Sequence, residues 1–137
     1  MALWQVSFYL IETEDVDFED ITLWKKQVNV ESLNISFLER NLSWNASIIQ
    51  YGKSDETCIE IMINDNRQIE EISVKLDLRS VTKTLLYDLL DLIGSLGKQL
   101  YYNGRIYSAD INSLLLIIRT SDAFRFCSSP KEYFEQL

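Results

Sequence analysis

The sequence predicts an α+β fold: a mainly antiparallel sheet of about five to seven strands with two main helices packed on one face. Three observations lead there. Several short runs alternate apolar and polar residues with a period of two, as half-buried strands do. Turn-forming residues separate most of these runs by only a few positions, which suits antiparallel neighbours. One longer stretch, 81–96, repeats its apolar residues at helical spacing instead. A chain of 137 residues is expected to form a single globular domain over 1–137, with a core that needs no disulfide or metal staple. With 47% apolar and 25% charged residues the composition is that of a soluble globular protein, and a single proline argues against a disordered linker.

Residues 3–11 read as the first strand, with Trp4, Val6, Phe8 and Leu10 on one face and Gln5, Ser7 and Tyr9 on the other. Ile21, Trp24 and Val28 then recur at helical spacing. Glu19 and Asp20 would fall in the first turn of that helix and Lys25-Lys26 near its last, as the helix dipole favours. Residues 31–42 carry two signals. Ser36-x-x-Glu39 fits a capping box while Leu33, Ile35 and Phe37 alternate as in a strand, and of the two readings helix is preferred. Ala46–Tyr51, Thr57–Ile63 and Glu71–Arg79 read as strands of a meander with one wet face, with turn clusters at Gly52–Asp55 and Asn64–Asn66.

The stripe Val81, Leu85, Leu89, Leu92 and Leu96 marks the main helix, with Ser80 as N-cap and Gly97 just past its end. Asn103-Gly104 between Gln99–Tyr102 and Arg105–Tyr107 signals a two-residue hairpin. A second, largely buried helix is expected from about Asp110 to Arg119, then a short strand at Phe124-Arg125-Phe126. A last helical turn should open at Ser129-Pro130-Lys131-Glu132.

The charge is lopsided. Glu12, Glu14, Asp15, Asp17, Glu19 and Asp20 place six acids in nine residues, and no base appears before Lys25. The whole chain holds 21 acids against 13 bases, a net charge of −8. That balance argues against nucleic acid and anionic membrane surfaces, which attract basic patches. No apolar run is long enough to span a bilayer. Without a visible signal peptide, Cys58 and Cys127 are expected to be reduced and the protein cytoplasmic.

Candidate chemistries are few. The chain has no histidine, so it can build neither a Ser-His-Asp triad nor a Cys-His dyad. An EF-hand loop starting at Asp15 would need glycine and glutamate where Asp20 and Lys26 stand. No metal site, and no cofactor of any kind, is expected. Ser80-x-x-Lys83 matches a serine–lysine nucleophile motif but lacks its companion motifs, and a helix cap accounts for Ser80 better. Asp88 and Asp91 are three apart on one helix, and Glu70-Glu71 are adjacent. Such pairs can serve glycosidase chemistry, yet on polar faces they are ordinarily solvated. Tyr101 and Tyr102 must point to opposite faces of a strand, which leaves one of them exposed or at an interface.

The aromatic-rich first strand, antiparallel sheet, acidic charge and absence of a catalytic set resemble small acidic bacterial immunity proteins of toxin systems. The strings Trp44…Gly52, Asp77-Leu78-Arg79 and Phe124-Arg125-Phe126…Pro130 are similar to those of uncharacterised bacterial proteins. The resemblance implies tight, stoichiometric binding of a cognate toxin, often a basic nuclease whose active site is covered. It assigns no role to any residue. The expected function is therefore that of a non-enzymatic inhibitory binding module whose partner is a basic protein. Charge density places the partner-binding surface on Glu12, Glu14, Asp15, Asp17, Glu19 and Asp20, with Trp24, Asp55 and Glu56 as neighbours. The alternative is a self-associating structural or adaptor subunit, a homo-oligomer whose exposed strand edges pair.

Overall fold

A computed structural model describes residues 1–13, 19–43 and 45–128. Among the described residues the chain forms one seven-stranded antiparallel sheet of order β2-β3-β4-β5-β1-β6-β7, accompanied by three α-helices. The strands are β1 (Gln5–Ile11), β2 (Arg40–Asn41), β3 (Ile48–Tyr51), β4 (Cys58–Ile63), β5 (Ile69–Asp77), β6 (Gln99–Tyr102) and β7 (Arg105–Tyr107). The helices are α1 (Lys83–Leu96), α2 (Ile111–Thr120) and α3 (Asp122–Ser128). The α+β class holds; beside the two expected main helices, α1 and α2, stands a third, α3.

β1 sits inside the sheet, paired with β5 on one side and β6 on the other. Both neighbours run antiparallel to it, so β5 and β6 run parallel to each other and need a crossover. α1 is that crossover. Strand pairing puts Val6 opposite Leu76, Phe8 opposite Val74 and Leu10 opposite Ile72, all on one face. Ile59 and Ile61 of β4 and Leu100 of β6 continue that face. The stripe Leu86, Leu89, Leu92 and Ile93 of α1 and the residues Leu114, Ile117 and Ile118 of α2 close over it as one buried cluster. Burial of such side chains contributes roughly 1.5–3 kcal/mol each, which makes this layer the main source of stability.

Local signals explain the ends of these elements. Gly97 takes a left-handed conformation (φ 64°) and stops α1. Asn103 (φ 50°) and Gly104 (φ 76°) form the tight hairpin turn between β6 and β7. Tyr101 points to the helix-free face opposite Tyr9 and Ile106, while Tyr102, on the other face, packs against the core.

Four expectations fail. Residues 21–28 form turns and extended chain, not a helix. The Trp24 N–H donates to the Glu70 carbonyl at 2.8 Å, its indole N–H to the Leu10 carbonyl at 2.8 Å, and the Ile69 N–H to the Val28 carbonyl at 2.8 Å. These long-range bonds outcompete a weak helical periodicity. In 31–42 the helix is also absent: a 3₁₀ turn at Val30–Ser32 is followed by irregular chain and β2. Leu33, Ile35 and Phe37 turn inward while Asn34 and Ser36 stay exposed, so the alternation describes the segment without a strand forming there. Phe124-Arg125-Phe126 is helical rather than a strand. Ser121 Oγ accepts the Phe124 N–H and starts α3. The N-cap of α1 is Thr82, whose hydroxyl accepts the Leu85 N–H, not Ser80. Ser80 belongs to the turn that ends β5, where its N–H donates to the Asp77 carbonyl. The helical turn expected at Ser129–Glu132 lies outside the described residues. Among the described residues, no helix is long and apolar enough to cross a membrane.

Candidate partner-binding surface

The acidic segment leaves the sheet at Glu12, directly after β1. Its own first acid turns inward. One Glu12 carboxylate oxygen accepts the N–H groups of Lys25 (2.5 Å) and Lys26 (2.9 Å). The other pairs with the Lys98 ammonium at 2.9 Å. Gln99 donates its amide to the Glu12 carbonyl at 2.8 Å. Glu12 thus ties residue 12 to residues 25–26 and closes the acidic segment at its base. Burial alone would raise the Glu12 carboxyl; the Lys26 N–H, the Lys98 ammonium and the Lys25 N–H outweigh it and hold the group below the usual glutamate range. The Lys98 side chain is only 2% exposed and lies 4.0 Å over the Trp24 ring, which is itself buried.

Glu19 and Asp20 are exposed and stand outside any helix. Glu14, Asp15 and Asp17 lie outside the described residues. Asp55 and Glu56 are exposed too, but at the other end of β1. There Gln5 donates its side-chain amide to the Ser54 and Glu56 carbonyls, and the Trp4 indole donates to the Asp55 carbonyl at 2.7 Å. Gln5 and Glu12 are seven residues apart along an extended strand, about 24 Å. The expected set therefore divides: Glu12, Glu19, Asp20 and Trp24 are in one region of the chain path, Asp55 and Glu56 in another. The Asp55 end is braced by Arg79, whose guanidinium lies 3.9 Å over the Trp4 ring and grips the buried Asp77 carboxylate with two nitrogens, at 2.8 and 3.0 Å. Burial would raise the Asp77 carboxyl, but Arg79 holds it below its usual value.

Lys26 also begins a groove of about 620 Å³ between the 26–37 segment and α1. Leu33, Phe37, Leu92 and Leu96 give it apolar walls, and Asp88 and Asp91 project from α1 at its side. The sequence shows those two carboxylates plainly. The apolar wall facing them was concealed by the competing helix signal in 31–42.

The helix-free face of the sheet carries a row crossing all seven strands: Asn41, Gln50, Glu60, Ser73, Tyr9, Tyr101 and Ile106. Its centre is polar, with Glu60 paired to Lys75 at 2.8 Å, and its β1–β7 end is aromatic and apolar. Cys58 is fully buried beneath this face, and desolvation pushes its thiol up to about 11 despite nearby Lys75, so it is a poor nucleophile. No group of three or more Cys, Asp or Glu side chains among the described residues is arranged to hold a metal ion. No family model matches this chain, and no curated protein or solved structure is significantly similar to it.

Proposed function

We propose that this protein is a non-enzymatic inhibitory binding module of the immunity type, neutralising a basic protein toxin by one-to-one association. One observation carries the reading. The acids at 19–20 stand in no helix whose first turn would use them, and the segment holding them is closed at its base by Glu12. Glu12 closes the segment, and an outside cationic partner accounts for the density of acids that follows it in the sequence. The remaining charge agrees. Ion pairing within the fold cancels acids and bases in equal number, so the chain keeps its net charge of −8. Such a field speeds encounter with a basic surface.

The test uses the purified product of the neighbouring gene. Stopped-flow mixing should give a one-to-one complex whose association rate falls steeply with salt. Glu19→Lys with Asp20→Lys should slow association about tenfold and leave dissociation nearly unchanged. A salt-independent association rate, or no saturable complex together with no rescue of growth against that toxin, would overturn the reading.

The self-association reading has one observation of its own, the Tyr9–Tyr101–Ile106 end of the open face, where Ile106 is 40% exposed. Pairing through strand edges is disfavoured, because β2 and β7 are only two and three residues long. Sedimentation velocity on Tyr101→Glu separates this reading from the first: a dimer lost in that variant would support it.

A further inference from the structure

The groove between α1 and the 26–37 segment combines two features that suit one kind of guest. Part of its lining is apolar, from Leu33, Phe37, Leu92 and Leu96. Its α1 wall carries Asp88 and Asp91, which have no hydrogen-bond or ion-pair partner among the described residues. Helix stability does not explain them. Three residues apart, they share one side of α1 and repel each other. α1 also starts with Lys83 and has no base in its last turn, the reverse of what the helix dipole favours. Lys26, the one cation lining the groove among the described residues, is exposed on the opposite wall and leaves a net negative charge.

We infer that this groove receives an arginine-bearing, apolar segment of the basic partner. The guanidinium bridges Asp88 and Asp91 while a neighbouring aliphatic side chain covers Leu33 and Phe37. Arginine fits better than lysine, because its planar fork can serve two carboxylates one helical turn apart. The groove volume lies within the range of about 300–1,000 Å³ typical of ligand clefts. Lys26 acts as a discriminator, repelling a second positive charge on the far side and favouring a segment with a single arginine flanked by apolar residues. The inference rests on the proposed function for the source of the segment, but its chemistry can be tested without the partner.

The probe is the capped tripeptide leucyl-arginyl-leucine amide, titrated into isotopically labelled native protein and followed by amide chemical shifts. Saturable shifts are expected at Leu33, Phe37, Asp91 and Ser95, with a Kd on the order of 1 mM. The Asp88→Asn, Asp91→Asn variant should keep the native spectrum elsewhere and weaken binding about five- to tenfold. Lys26→Gln, whose backbone N–H still reaches Glu12, should tighten it about twofold. The glutamate analogue of the peptide should produce no groove shifts. Unshifted groove amides, or equal binding by the double variant, would overturn the inference. Shifts gathered only at Glu19 and Asp20 would overturn it too, while leaving the proposed partner chemistry standing. Groove binding of the peptide alongside salt-independent association of the toxin would do the opposite: the groove stands and the proposed function falls.

Discussion

Replacing Lys98 with methionine tests the joint that closes the acidic segment. The substitution keeps the aliphatic stem and removes the ammonium. It loses a 2.9 Å charge-assisted bond to Glu12, a contribution of about 1.5–3 kcal/mol, and a 4.0 Å contact over the Trp24 ring, about 0.5–2 kcal/mol. It also relieves the cost of burying an ammonium that is 2% exposed, which offsets part of that loss. Glu12 would keep two backbone N–H donors and its 12% exposure, so it would not be stranded. The expected net loss is about 2–4 kcal/mol. Glu12→Gln should cost more, about 3–5 kcal/mol, because it leaves the more deeply buried partner without a counter-charge. The double variant should be better than additive by about 1–3 kcal/mol.

Urea melts of the four proteins at neutral pH close this cycle. The pH dependence gives a second reading of the same joint. Glu12 titrates below its ordinary value, so its contribution is complete above about pH 4.3 and is lost as the pH falls through the lowered folded value. The native protein should therefore lose more stability between about pH 5 and pH 3 than Glu12→Gln does. Asp77, depressed in the same sense, is present in both and cancels in the difference. A Lys98→Met loss under about 0.5 kcal/mol, or an additive double variant, would refute the argument.

Leu89→Ala, at a side chain 1% exposed in the middle of the α1 stripe, should cost about 2–5 kcal/mol in denaturant melts. Two glycines should respond in opposite directions in thermal melts. Gly94→Ala, helical with open space around it, should stabilise by about 0.5–1 kcal/mol. Gly52→Ala should destabilise by more than about 1 kcal/mol, because φ is +80° there and a Cβ would lie 2.1 Å from the Thr57 carbonyl oxygen. Cys58 should resist a thiol-specific reagent at neutral pH until urea unfolds the chain, since its thiol is buried and titrates at about 11; Cys127, partly exposed, should react first.

Elements whose burial pattern follows from neighbours in the chain were legible in the sequence. β1, β4 and β5 show their period of two because each turns one face to the helices, and α1 shows its stripe because it crosses that same face. Asn103-Gly104 and Gly97 are legible because positive φ depends on local sterics. Tertiary structure decided the rest. Trp24 looks like one residue of a helical stripe, yet its two N–H groups reach Leu10 and Glu70, partners that no local pattern reveals. Glu12 reads as the first acid of a solvated run, and only the fold brings Lys98, 86 residues away, against it. The acids at 55–56 share a charge with those at 19–20, but Gln5 and Trp4 fasten their turn to the opposite end of β1. Charge and periodicity are properties of the chain; which charge meets which is set by the order in which the strands pair, and that order is a contest among long-range bonds.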